Sequence, residues 1–353
     1  MKTIDQEFTQ AVMSWFQENQ RDLPWRKDKD PYHVWVSEIM LQQTRVEAVR
    51  DYYRRWMEAL PNVQALAQTE EETLLKLWQG LGYYNRVRNM QKAARMIMEE
   101  YEGSFPARYE EILKLPGIGA YTAGAIASNC FDERVAAVDG NVLRVMSRLT
   151  EDDTDILLQS TKRRYALMLQ TLYPQKQCGV FTQGLMEIGA IVCVPNGTPK
   201  CELCPIRAFC GAGEHQTFDR YPVKAAKKER KIIEMTVFIL QCGEQLAVQK
   251  RGAKGILAGL YQYPNLEQKM TAAEALRTAE AWGCMPTGLQ RQSEYKHIFT
   301  HVEWHMTGYY ITCSCEADGP AHDWIWADAA QMSHLPQTPP NTLFGIISDR
   351  TGI

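Results

Sequence analysis

Apolar residues recur every three or four positions through most of the first 210 residues, the period of amphipathic helices. In WVSEIMLQQTRVEAVRDYYRRWMEAL, residues 35–60, Val46, Val49, Tyr53 and Trp56 share one face, which predicts one helix ended by Pro61 and Asn62. TEEETLLKLWQGLG predicts the next, with Thr69 as its N-cap and Gly80 and Gly82 as its break. More amphipathic helices follow through Met186 and Ile188, and no solenoid period is visible. Beyond residue 230 the period changes. IIEMTVFILQCGEQLAVQKR is rich in β-branched residues and predicts two strands in a hairpin turning at Gly243. TAAEALRTAEAW predicts a helix and EWHMTGYYITCSCEA a strand. Between the two patterns, Arg220 to Lys231 holds six basic residues and one acid, with little to bury, so it reads as a linker. The expected organisation is multidomain: an all-α region over 1–215, a basic linker over 216–232 and an α+β domain over 233–353.

Composition adds bounds. The chain has 353 residues, 45% hydrophobic and 23% charged, enough for two domains with ordinary cores. No apolar run approaches a membrane span, and the N-terminus lacks the layout of a signal peptide, so a cytoplasmic protein is expected. Most of its ten cysteines are then reduced, and a cluster of them points to metal. The net charge of −3 does not mark a nucleic-acid binder. Basic residues do gather locally, at Arg45, Arg50, Arg54 and Arg55 and at Arg86, Arg88, Lys92 and Arg95. Such runs by themselves are solvated helix faces.

Four local features carry chemistry. In LPGIGAY, Gly117 and Gly119 allow positive φ and close approach of another backbone. Successive N–H groups there, at the start of a helix near Tyr121, would form an anion nest. The segment is either a plain helix–helix turn or a helix–hairpin–helix that grips a DNA phosphate. In VAAVDGNVLRV, Asp139 opens a helix and reads locally as an N-cap. Glu38 stands among Val36, Ile39, Met40 and Leu41. Apolar surroundings would raise its pKa and suit it to act as a general acid, the alternative being an exposed helical glutamate. Finally, Cys193, Cys201, Cys204 and Cys210 are separated by seven, two and five residues, so four thiolates can converge on one metal centre, zinc or iron–sulfur.

SEIMLQQT, GLGYYNRVRN, LPGIGAYTAGAI, VDGNVLRV and the cysteine loop occur in the order seen in MutY-type adenine DNA glycosylases. The chain is identified as a member of that family within the helix–hairpin–helix DNA glycosylase superfamily. The resemblance implies an all-α helix–hairpin–helix core with a 4Fe–4S cluster on the four cysteines, followed by a Nudix-like domain. The cluster would support the fold and hold Lys200 and Arg207 near phosphates. The first cysteine interval is seven where the family usually has six, a residue that a loop can absorb.

The implied activity is removal of adenine mispaired with 8-oxoguanine or guanine in double-stranded DNA, leaving an abasic site. Glu38 would protonate N7 of adenine and Asp139 would stabilise the sugar cation, with Tyr121 and Asn141 assisting. The lyase members carry a lysine where this chain has Tyr121, which implies a monofunctional enzyme. Trp25, Arg26 and Gln183 match positions lining the adenine pocket. Gln43 and Tyr83 match the wedge and the intercalating ring, and Thr44 and Leu81 match contacts to the lesion. Phe299, Thr300 and His301 match the loop that recognises 8-oxoguanine, with threonine where serine is usual. GLYQYP, from Gly259 to Pro264, resembles a Nudix fold, but AAEALRTAEAWG lacks the magnesium-binding Nudix pattern. A monomer associated with the nucleoid, with no membrane partner, is expected. Two other functions stay open: a pyrimidine glycosylase of the same fold, and a non-catalytic damage binder. Glu38 and the second domain argue against the former, and the pair Glu38 and Asp139 against the latter.

Overall fold

The computed structural model describes residues 6–225, 229–314 and 324–344. The chain forms two compact units. One comprises the residues before 69 and those from 88 to the linker; the other combines residues 69–87 with those beyond the linker.

The first unit is helical. Its core gathers Phe8 and Val12 from the helix Gln6–Asn19, Val142 and Met146 from Gly140–Thr150, and Phe181 and Leu185 from Cys178–Glu187. The helix Pro31–Met40 starts where its sequence directs. Asp30 accepts the Tyr32 N–H at 2.8 Å, and Pro31 supplies a preset φ. The predicted single helix over residues 35–60 is broken. Pro31–Met40 ends in a turn and Val46–Ala59 begins anew. Inside that turn Gln43 takes φ 61°, a left-handed conformation unusual for a side chain that is not glycine. Val49, Tyr53 and Trp56 do face the core of the second helix. A short helix, Val63–Gln68, precedes the next, whose N-cap position falls on Glu70 and not on Thr69.

Among the described residues the second unit is built on a mixed sheet of seven strands: β1 (Lys231–Cys242), β2 (Gln245–Lys250), β3 (Tyr261–Gln262), β4 (Asn265–Leu266), β5 (Met285–Ile298), β6 (Val302–Ser314) and β7 (Ile325–Ala327). The main order is β3-β2-β1-β6-β5, with β4 on β1 and β7 on β2. The expected hairpin is β1–β2, paired at Cys242↔Gln245 around Gly243. β1 runs parallel to β6 from Lys231↔Val302 to Gln241↔Thr312. β5 was not evident in the sequence. Its residues are mostly exposed, so it lacks the apolar signature that revealed β1 and β6.

β1 is buried continuously from Met235 to Leu240 because both faces of the sheet are covered. Met235, Val237 and Ile239 pack on one side with Met306, Tyr310, Met332 and Phe344. Phe238 and Leu240 pack on the other with Tyr309, Ile311 and the helix Ala272–Ala281, through Ala275 and Ala279. That helix has a capping box between Thr271 and Glu274. The end of the expected strand from Cys315 on lies outside the described residues.

Residues 69–87 are tied to the rest of this unit at several points. Lys250 Nζ lies 2.6 Å from Glu72 Oε1, which also accepts the Tyr261 hydroxyl at 3.1 Å. Lys76 Nζ donates to the Leu335 carbonyl at 3.1 Å.

Candidate active site

The hairpin is formed by Tyr109–Ile112, a turn through Pro116–Gly119 and the helix Ala120–Phe131. Gly117 has φ +79°, and a Cβ there would meet Asn89 Cβ at 2.6 Å, so this position demands glycine on both counts. Gly119 differs from expectation. Its φ is −96° and ψ 174°, extended backbone open to any residue. What Gly119 offers is space: a Cβ would meet nothing within 4 Å. No side chain caps the helix at Gly119, while the Ile118 N–H is already given to the Leu115 carbonyl at 3.1 Å. The backbone N–H groups left without a side-chain cap therefore belong to the first turn of the helix.

That same turn carries Tyr121, whose hydroxyl donates to Glu38 Oε2 on the helix Pro31–Met40. Burial pushes Glu38 up to about 7. The Tyr121 hydrogen bond and the Arg26 charge oppose that rise, and the charge of Asp139 adds to it. Burial, and then the charges of Glu38 and Asp139, hold the Tyr121 hydroxyl well above its ordinary pKa. The carboxyls of Glu38 and Asp139 thus face one site from two helices.

Asp139 is the N-cap of Gly140–Thr150. Its Oδ1 accepts the Val142 N–H at 2.7 Å and its Oδ2 accepts Asn141 Nδ2 at 2.8 Å. Burial raises its pKa against these bonds and the Arg144 charge. Arg144, which the sequence reading did not single out, anchors this end. It donates to Asn141 Oδ1 at 2.8 Å, to the Gly189 carbonyl at 2.7 Å and to the Cys193 carbonyl at 2.8 Å. The Gly189 carbonyl is available because the chain widens into a π turn over Ile188–Val192, closed by Cys193 N–H to Ile188 O at 2.7 Å. Gly189 itself abuts Asn141: an added Cβ would stand 2.5 Å from Asn141 Cβ.

Arg26 lies on the turn Pro24–Arg26 and bonds to Glu187 Oε2 at 2.8 Å. Trp25 is buried edge-on to Tyr53, with ring centroids 5.4 Å apart. Gln183 projects from Cys178–Glu187, and its buried Oε1 has no hydrogen-bond partner among the described residues. An orphaned buried acceptor is costly unless a ligand supplies the donor.

The four cysteines line one cavity with Arg148, Val192, Pro199, Arg207 and Phe218. Arg148 Nη1 reaches Cys193 Sγ at 3.3 Å, and the Gly213 N–H reaches Cys210 Sγ at 3.3 Å. Such donors suit sulfurs that carry negative charge. The long first interval is absorbed as expected of a loop, closed by Lys200 N–H to Val192 O at 3.0 Å. Among the described residues no three His, Cys, Asp or Glu gather closely enough to hold a single metal ion.

In the second unit, Tyr83 has φ 48° and is 48% exposed, unlike a core tyrosine. Its hydroxyl pairs with Thr300 Oγ1 at 2.7 Å. Phe299 stands between His297 and Trp304, with centroids at 4.5 and 4.7 Å, while Thr300 and His301 are exposed. The Leu81 side chain is buried, and its carbonyl accepts Arg86 Nη2 at 2.9 Å. In the first unit Gln43 is exposed on its strained turn, and Thr44 N–H bonds back to the Leu41 carbonyl at 3.3 Å.

The class of protein that residues 36–170 match is the HhH-GPD superfamily base excision DNA repair protein. Residues 236–344 match the NUDIX domain. Among solved structures, a thermostable thymine-DNA glycosylase is 30% identical with a TM-score of 0.53, covering 59% of this chain and 95% of its own. The adenine DNA glycosylase of Buchnera aphidicola subsp. Schizaphis graminum (strain Sg) is 34% identical over 310 residues, which is 87% of this chain and 88% of the relative. That of Rattus norvegicus is 33% identical over 374 residues, 89% of this chain and 72% of the relative. The chain belongs to the adenine DNA glycosylase family of base excision repair enzymes.

Proposed function

We propose that this chain removes adenine from duplex DNA where it is mispaired with 8-oxoguanine or guanine, hydrolysing the N-glycosidic bond and leaving an abasic site. The observation that carries this is the hydrogen bond from Tyr121 to Glu38 beside Asp139, a site where burial keeps a carboxyl protonated near neutral pH. The base must leave the stack to be reached. Glu38 then gives its proton to N7, so adenine departs as a neutral molecule. Asp139, held by Val142 and Asn141, stabilises the positive charge that develops on the sugar. Ionised Glu38 activates the water that completes hydrolysis. The division of labour is that of retaining glycosidases, an acid and an anion set by different surroundings. Tyr121 in the place of a lysine supports a monofunctional enzyme, since a phenol forms no imine.

Trp25, Arg26 and Gln183 would line the adenine pocket; the orphaned Gln183 Oε1 is matched in chemistry by the adenine amino group. Gly117, Gly119 and the uncapped helix start would hold a DNA phosphate. Exposed Gln43 and Tyr83, both in left-handed backbone, suit insertion into the duplex. Thr44, Leu81, Phe299, Thr300 and His301 would contact the opposite-strand lesion.

Cys193, Cys201, Cys204 and Cys210 would hold a 4Fe–4S cluster. Their fit rests on four thiols around a single cavity with an arginine and a backbone N–H directed at two sulfurs. Such an arrangement suits a group of several atoms better than one ion. When bound, the cluster supplies cross-linking of a loop with little core of its own.

Single-turnover release from duplexes carrying each mismatch tests the reading. Adenine opposite 8-oxoguanine should react fastest and guanine next. Release of thymine in preference to adenine, the activity named for the thymine-DNA glycosylase relative, would overturn it.

A further inference from the structure

Glu187 is an acid almost wholly removed from solvent: its side chain is 1% exposed. It ends the helix Cys178–Glu187 one turn beyond Gln183, so the two share a helix face. Two guanidinium groups meet it. Arg21 engages both oxygens, Nε to Oε1 at 2.7 Å and Nη2 to Oε2 at 3.0 Å, and the Arg21 N–H adds a third bond at 3.1 Å. Arg21 alone would satisfy this carboxylate. Arg26 nevertheless spends Nη2 on Oε2 at 2.8 Å, gives Nη1 to the Arg21 carbonyl at 3.3 Å, and lies over the Phe16 ring at 5.3 Å. The Arg26 guanidinium is therefore held on three sides, and its charge is felt at Glu38.

We infer that Glu187 is a positioning residue for base release: it fixes the direction of Arg26 and sets how much positive charge reaches Glu38. This rests on the assignment of Glu38 as the general acid. Two arginines against one carboxylate leave one net positive charge beside the acid. Without Glu187 there would be two, and a proton on Glu38 would be held less firmly. The other charged or titratable groups that act on this assembly are Tyr121 and Asp139, which face Glu38; Cys130, which senses Glu38; Glu47, which acts on Arg21; and Arg144, which acts on Asp139. Glu187 itself is ionised throughout the working range: burial opposes its charge, but the two arginines outweigh that and hold it at about 2. A buried ion cluster of this kind is weak evidence for stability, which favours a role in placing charge.

The test is the pH profile of single-turnover adenine release from an A:8-oxoguanine duplex, using the full-length, cluster-containing enzyme. Wild type should lose rate on the alkaline side as Glu38 ionises. In Glu187→Gln that limb should move to lower pH by about one unit, the effect expected of one partly screened charge. Arg21→Gln should move it the other way, and Glu187→Gln/Arg21→Gln should return it towards wild type. If Glu187→Gln does not fold, the upward shift in Arg21→Gln still decides the matter. A Glu187→Gln profile lowered equally at every pH, or an unmoved limb in Arg21→Gln, would overturn the inference while leaving Glu38 as the acid. A wild type with no alkaline limb would instead remove the acid, and the inference with it.

Discussion

The Tyr121 hydroxyl donates to the Glu38 carboxylate across 83 residues of sequence, joining the hairpin that would hold a DNA phosphate to the proposed acid. In the proposed reaction, binding of the backbone and protonation of the base would therefore be adjacent events. Glu38→Gln should reduce adenine release by about 10²–10⁴-fold, the usual worth of a general acid, with lesion-duplex affinity little changed. Near-normal single-turnover rates in this variant would remove the mechanism.

Stability should depend on pH through the same group. Glu38 is raised from 4.5 to about 7, so its folded form retains a proton that the unfolded form has lost. The stability this contributes is complete below about pH 4.5 and is lost as pH rises to about 7. Glu38→Gln has no such proton to lose. Its melting temperature relative to wild type should be higher at pH 8 than at pH 4.5. Equal differences at both values would mean that Glu38 is not buried in solution.

Tyr121 lowers the Glu38 pKa by donating a hydrogen bond. In Tyr121→Phe the alkaline limb should shift upward. Borohydride should fail to trap wild type on DNA efficiently, whereas Tyr121→Lys should gain trapping and strand cleavage. Efficient trapping of the wild type would contradict a purely hydrolytic route.

Arg144 connects Asn141, and through it Asp139, to the carbonyls of Gly189 and Cys193. Arg144→Met should release this end of the site and slow base loss by roughly 10²-fold, as small displacements of catalytic groups do. Gly189→Ala should act in the same direction by pushing on Asn141. Unchanged rates in both would make the contacts incidental. Purified protein should also be brown and contain iron and sulfide; one zinc and no iron would replace the cluster assignment.

Much of this site was legible because it depends on local rules. Asp139 announces itself as an aspartate before a helix, and Gly117 as a glycine at a turn with positive φ. The four cysteines lie within one loop. Other parts depend on tertiary packing. The shift of Glu38 also depends on groups far away in sequence, Tyr121 through a hydrogen bond and Asp139 through its charge, so its helix neighbours gave the right direction by an incomplete route. Arg144, Arg21 and Glu187 carry no local signature; the one sequence signal for a buried partner is a charged residue within the otherwise apolar MEIGAIV. The break after Met40 was hidden because helical spacing continues on both sides of a five-residue turn.

The Tyr83–Thr300 bond suggests a milder test of lesion reading than removal of the whole second domain, because residues 69–87 fold with that domain. Thr300→Val should weaken the preference for 8-oxoguanine over guanine by about 1–3 kcal/mol, and Thr300→Ser should keep it. If Thr300→Val discriminates as well as wild type, the loop at 299–301 is not the reader.

The discontinuity of that unit also has a consequence for biosynthesis. Glu72 and Lys250 are 178 positions apart, and Tyr83 and Thr300 are 217 apart. A nascent chain that has emerged only as far as the linker offers residues 69–87 none of these partners. The segment must wait until the last strands leave the ribosome, while the helical core around Phe8 and Phe181 can already close. The unit proposed to contact the lesion is thus the last to be completed, and a ribosome stalled before β6 would hold a folded helical core and a Tyr83 without its partner Thr300.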